Sequence, residues 1–156
     1  MIRHLKETDY QTIISVVNDW WNGRKMDHML PMLFFTHFQN TSFVIEEQDE
    51  IVGFIIGFVS QSQQNEAYIH FVGVHPQYRE LGIAKKLYEQ FFTTVKQHGC
   101  QIVKCITSPV NTNSIAFHQK MGFQIEETDT LMEGIYVKRN YDGQGNNRVL
   151  FYKSLY

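Results

Sequence analysis

The stretch Tyr68 to Lys96, YIHFVGVHPQYRELGIAKKLYEQFFTTVK, constrains the fold more than any other. Its first half has strand character, because Tyr68, Ile69, Phe71, Val72 and Val74 are aromatic or β-branched. Pro76 ends that strand, since it has no N–H to give a ladder. Its second half has helix character. Ile83, Leu87, Phe91 and Val95 recur every four residues, with Lys85, Lys86, Glu89, Gln90 and Lys96 mostly on other faces. Between them lies Arg79-Glu80-Leu81-Gly82-Ile83-Ala84. A strand, a small-residue turn and a helix make an anion site, because free backbone N–H groups and the positive end of the helix dipole converge there.

The chain before this stretch reads as a short strand, Ile2 to Leu5, then a helix with Ile13, Ile14, Val16, Val17, Trp20 and Trp21 on its stripe. Thr8 with Gln11 matches a capping box. Asp27 to Phe38 is expected as a second helix, capped by Asp27, with Pro31 in its first turn. Its apolar residues run almost all the way round, which suggests a helix buried on several sides, or one bordering a pocket or a homodimer interface. Ser42–Glu47 and Ile51–Ser60 read as two strands joined at Gln48-Asp49-Glu50. In the second of these, Gly53 and Gly57 are expected to relieve crowding or to allow a bend.

After it come a strand at Gln101–Thr107, a short helix at Asn111–Met121, a strand at Phe123–Glu127, a glycine-rich turn at Tyr141–Asn147 and a last strand at Arg148–Leu155. The expected fold is mixed α/β: one central, mostly antiparallel sheet of about seven strands with about four helices. At 156 residues the chain is expected to be one domain, 1–156.

A formal net charge of −2 gives no basis for a general nucleic-acid or membrane binder. No apolar run reaches the ~20 residues of a membrane span, and MIRHLKETDY lacks the apolar segment of a signal peptide. Cys100 and Cys105, five apart in an expected strand, point to opposite faces, so a reduced, cytoplasmic setting is expected. The cysteines and histidines show no zinc spacing, and no metal is expected.

Two motifs together carry a family resemblance. Val74-His75-Pro76 followed by Arg79-Glu80-Leu81-Gly82-Ile83-Ala84 resembles the acyl-CoA signature (Q/R)-x-x-G-x-(G/A) of the GNAT superfamily of N-acetyltransferases. About thirty residues on, Asn111-Thr112-Asn113-Ser114-Ile115-Ala116-Phe117-His118-Gln119-Lys120-Met121-Gly122-Phe123 resembles that family's second motif. The order of strands and helices matches as well, over nearly the whole chain.

The resemblance implies acetyl-CoA as acyl donor and direct acetyl transfer to a primary amine, on a small molecule or a protein N-terminus. Glu80, Leu81, Gly82, Ile83, Ala84 and Lys85 would present N–H groups to the pyrophosphate, with charge from Arg79 and Lys85. Gly82 has no side chain to block the phosphates. Val72, Gly73 and Val74 would pair with the pantetheine arm, with Gly73 at the splay point of the strand, and Val74 N–H would face the developing oxyanion. Asn111 would contact the cofactor arm or cap its helix.

The family commonly has a tyrosine acid at the position of His118. Here a histidine would donate the proton, contact the cofactor or pack on the sheet. For the base, Glu66, Tyr68 and His70 share one strand face. The family's usual glutamate aligns with Tyr68, Glu66 sits two residues earlier, and His70 is ranked first. A non-catalytic acyl-CoA-binding regulatory module is the alternative. An unrelated phosphate-loop nucleotide binder is disfavoured, because the lysine-serine pair of such loops is absent.

Overall fold

The computed structural model describes residues 1–156. The chain runs through β1 (Ile2–His4), α1 (Asp9–Trp20), α2 (Met32–His37), β2 (Phe43–Glu47), β3 (Glu50–Val59), β4 (Glu66–Val74), α3 (Ile83–Gln97), β5 (Ile102–Thr107), α4 (Thr112–Lys120), β6 (Gln124–Ile125), β7 (Thr130–Met132), β8 (Ile135–Val137) and β9 (Val149–Ser154). Seven strands form one sheet in the order β1-β2-β3-β4-β5-β9-β6, and β7 and β8 form a separate hairpin. Every pairing is antiparallel except β4 with β5.

The sheet divides the core into two layers. Phe54, Ile56 and Phe71 enter the layer that holds Ile13, Val17 and Trp20 of α1 and Phe35 of α2. Ile55, Ile69 and Val103 enter the layer that holds Ile83, Leu87, Phe91 and Val95 of α3 and Ile115 of α4. The every-four-residue stripe of α3 is therefore its buried face. Helix α3 sits so close to β3 that glycine is required beneath it. A Cβ on Gly53 would lie 2.6 Å from Ile83 Cγ2, and one on Gly57 would lie 2.3 Å from a ring carbon of Phe91. The tight turn between β2 and β3 is made without glycine, as Gln48 and Asp49 both take positive φ (53° and 63°).

Several expectations are corrected. Thr8 makes no side-chain cap bond. Instead the neighbouring Asp9 carboxylate accepts from Lys6 N–H at 2.8 Å and from the Arg3 guanidinium in two bonds of 2.9 Å. The expected helix at Asp27–Phe38 is broken in two: Asp27–Met29 is one turn of 3₁₀ helix and α2 follows, with no cap bond from Asp27. Pro31 is the cause. It cannot donate, and it drives Leu30 out of helical geometry (φ −126°, ψ 60°). Cys100 lies before β5 rather than in it, so it shares one core layer with Cys105, and both are free thiols. The β7–β8 hairpin was not anticipated. Its strands have three residues each, and its turn is Glu133-Gly134, both at positive φ.

Candidate active site

The sheet opens at β4. That strand pairs with β3 along its whole length, but with β5 only where Glu66–Tyr68 meet Ile102–Lys104. Beyond Tyr68, β5 continues against β9 and leaves the second edge of β4 free. The register shows why the strands part. Ile56 pairs with Phe71 and Gly57 with Ile69, so His70 is an extra residue in β4. A bulge bends its strand and strengthens its twist. The strand is therefore bulged at His70, three residues before the splay point expected at Gly73. Gly73 pairs regularly with Phe54 and must be glycine, because a Cβ there would lie 2.5 Å from the Phe54 ring. His75 N–H donates to Val52 O of β3 at 2.8 Å. Alternation along the strand then turns the N–H groups of Val74 and Val72 to the free edge.

That free edge leads into the turn before α3. Gly82 is the N-cap residue at φ 81°, and Glu80 is also left-handed at φ 66°. None of the backbone N–H groups from Arg79 to Lys85 finds an acceptor within the protein. The first turn of α3 carries no acidic residue. A Cβ on Gly82 would meet nothing within 4 Å, so glycine serves the backbone conformation here rather than packing. Leu81 stands 64% exposed at the lip. These features make an anion cradle.

The two cations expected beside it differ in placement. Lys85 is exposed and lies 3.9 Å from Glu89. The Arg79 guanidinium instead donates to Trp20 O at 2.5 Å, the last residue of α1. Helix α1 has no basic residue in its last turn, so its terminal carbonyls recruit Arg79 from a distant loop.

Asn111 is the N-cap of α4, its Oδ1 accepting from Ser114 N–H at 3.1 Å. His118 lies inside the core. Its Nδ1 is 2.8 Å from Ser114 O and its Nε2 is 2.9 Å from the Tyr88 hydroxyl. A carbonyl only accepts, so Nδ1 carries the proton and Nε2 accepts from Tyr88 O–H. The ring stacks on Phe151 at 4.8 Å. Burial lowers its pKa, and the Ser114 carbonyl partly offsets this. Neither nitrogen can pass a proton to a thiolate without breaking one of these bonds. Tyr88 was not singled out from the sequence.

Glu66, Tyr68 and His70 do share the face that α1 and α2 cover. Glu66 lies 2.9 Å from Lys104 Nζ, which also meets Glu126 at 3.3 Å. Tyr68 packs on Phe58 at 5.5 Å. Burial raises the pKa of its hydroxyl, and Tyr141 adds to the rise. His70 stacks on Phe34 at 4.2 Å and 10°. Its Nε2 donates to Met29 O at 2.6 Å, which leaves the Nδ1 lone pair without a partner in the protein. Burial lowers its pKa from the ordinary 6.5, so the ring is neutral at pH 7. A cleft of about 150 Å³ lined by Phe58, Ser60, Glu66, Ala67, Tyr68 and Lys104 opens on this face. A larger hollow of about 360 Å³, between Ile2, Ile45 and the outer side of α3, holds none of these residues.

A model of the acetyltransferase (GNAT) family matches residues 5–123. The L-2,4-diaminobutyric acid acetyltransferase of Vibrio cholerae is 24% identical over 116 residues, 74% of this chain and 67% of that protein. Among solved structures, a GNAT-family protein from Desulfovibrio desulfuricans superposes with a TM-score of 0.81 at 14% identity, covering 100% of this chain and 99% of that one. The yncA protein of Salmonella typhimurium, solved with its cofactor acetyl-CoA, superposes with a TM-score of 0.71 at 20% identity, covering 100% and 94%.

Proposed function

The chain belongs to the acetyltransferase (GNAT) family and is an acetyl-CoA-dependent N-acetyltransferase, and from that premise we propose that its open β4 edge and the turn before α3 hold acetyl-CoA for direct transfer to a primary amine. The observation that carries this placement is the continuity of unpaired donors. Val72 and Val74 present N–H groups along a free strand edge, and Arg79 to Lys85 present theirs at the N-terminus of a 15-residue helix. An extended amide-bearing arm pairs with the first set as an added strand. A pyrophosphate accepts from the second.

In this reading His70 is the base. Its neutral Nδ1 takes a proton from the acceptor ammonium, while the Met29 carbonyl holds the other nitrogen and stabilises the imidazolium. The freed amine attacks the thioester carbonyl. The C–N bond forms, the oxygen charge is met by Val74 N–H, and the C–S bond breaks. The amide nitrogen loses its extra proton, the thiolate takes one up, and one proton in all goes to solvent. Glu66 is held by Lys104 and is left out of the proton transfer. Tyr68 forms a wall of the acceptor cleft. The diaminobutyrate specificity of the Vibrio relative supports a small amine acceptor, since that compound carries two primary amines. Two buried free thiols support a reducing, cytoplasmic setting. The exposed Met29, Met32 and Leu33 leave a face for a second copy.

Thiol release from acetyl-CoA, followed with a panel of monoamines, diamines, amino acids and peptides with free N-termini, tests the reaction. Release that depends on one amine class is expected. Tight acetyl-CoA binding with no release from any amine would instead leave a cofactor-binding module.

Gly82→Val is expected to weaken acetyl-CoA binding at least ~10-fold, equivalent to about 1.4 kcal/mol. The substitution puts a branched side chain at φ 81° and into the mouth of the cradle. Calorimetry on the folded variant measures it. Unchanged affinity would remove the cradle from the site.

A further inference from the structure

We infer that Tyr88 is a positioning residue, whose hydrogen bond to His118 sets the spacing of α3 and α4 and so the width of the cofactor mouth between their N-terminal ends. The inference rests on the placement of acetyl-CoA proposed above. The cradle at Gly82 opens α3, and the Asn111 cap opens α4. Tyr88 lies about 9 Å along α3 from Gly82, and His118 lies roughly 10 Å along α4 from Asn111, at the 1.5 Å rise of a helix. The bond between them therefore crosses at about the same depth behind both ends. No other hydrogen bond or ion pair joins the two helices.

The bond cannot be replaced by solvent. Tyr88 is 3% exposed and His118 7%. Its direction is fixed as well. Ser114 O takes the Nδ1 proton, so Nε2 has only a lone pair to offer, and the Tyr88 hydroxyl is its donor. The rings leave no freedom to rearrange within the fold. His118 is stacked on Phe151 and meets Phe123 at 5.3 Å, while Tyr88 meets Phe117 at 5.3 Å. Losing the hydroxyl leaves a buried acceptor unpaired, and the ring reaches a new donor only if α4 moves. Such a shift changes the mouth, not the acceptor face, because His70 and Tyr68 sit across the sheet.

The test uses the full chain well below its melting temperature. In Tyr88→Phe, Kd and KM for acetyl-CoA are expected to rise about 10-fold, with kcat at saturating acetyl-CoA and KM for the amine within about 3-fold of the wild type. His118→Gln is expected to keep most of the affinity, since its side-chain carbonyl accepts from Tyr88 O–H. His118→Phe is expected to match Tyr88→Phe, and the double variant to be no worse than either. Unchanged acetyl-CoA affinity in Tyr88→Phe, or a loss of kcat with KM unchanged, overturns the inference. Equal loss in His118→Gln and His118→Phe overturns it too, and that pair decides the matter if Tyr88→Phe does not fold. A wild-type protein that does not bind acetyl-CoA overturns the placement of the cofactor and this inference with it. Wild-type binding with equally tight binding by Tyr88→Phe overturns this inference alone.

Discussion

Gly57→Ala is expected to destabilise the protein by about 3 kcal/mol, the upper part of the usual overpacking range. For a chain of this size that is a fall in Tm of roughly 6–12 °C. The added Cβ would lie 2.3 and 2.7 Å from two ring carbons of Phe91 and 2.8 Å from Tyr68 O. Phe91 is fully buried, so its ring cannot swing out. Tyr68 O is backbone of β4, so relief in that direction breaks the β3–β4 pairing next to the bulge. Gly53→Ala makes the contrast. Its one contact under 3 Å is a single methyl, Ile83 Cγ2 at 2.6 Å near the start of α3, with Leu87 Cδ1 next at 3.2 Å, so a smaller loss is expected there. Thermal melts of the two variants measure the difference. A Gly57→Ala protein that melts with the wild type would contradict the close seating of α3 on β3.

His70→Ala is expected to lower kcat/KM by at least ~10²-fold, the low end of general-base contributions, with little change in acetyl-CoA affinity. The pH dependence follows from the direction of the shift. Burial lowers the His70 pKa below 6.5, so the ring is a competent base above that pH. As pH falls through the lowered value the ring charges, and activity is lost. His70→Ala and His70→Gln are both expected to lose that acid limb. The glutamine can still donate to Met29 O but takes no proton. A loss under about 3-fold, or an unchanged acid limb in pH–rate profiles, would exclude His70 as the base.

Much of this was legible from local pattern. Gly82 and the four-residue recurrence from Ile83 to Val95 are local signals, and they located both the turn and the buried face of α3. Gly53 and Gly57 in an apolar strand signal either crowding or a bend, and the structure shows crowding, since both lie under α3. The break at Pro31 was visible in principle. Proline is tolerated in a first turn, but here its effect on the residue before it, Leu30, prevails. The Glu133-Gly134 turn is also a local signal, but the strands it joins are too short to alternate visibly.

What sequence could not place depends on partners far along the chain. The bulge at His70 exists only in the register with Gly57 and Ile56. The Arg79 side chain is taken by a carbonyl 59 residues away, and Tyr88 and His118 meet across 30 residues. A motif position names a residue type, and the packing around it then decides whether that residue faces a ligand or the core. At 118 the histidine faces the core.

The most direct test of the central claim is an amide-resolved titration of the ¹⁵N-labelled protein with acetyl-CoA. The largest shifts are expected at Val72 and Val74 and from Glu80 to Lys85, the N–H groups left without partners on the β4 edge and at the start of α3. Shifts confined to other parts of the chain, with these amides unmoved at saturation, would contradict the account.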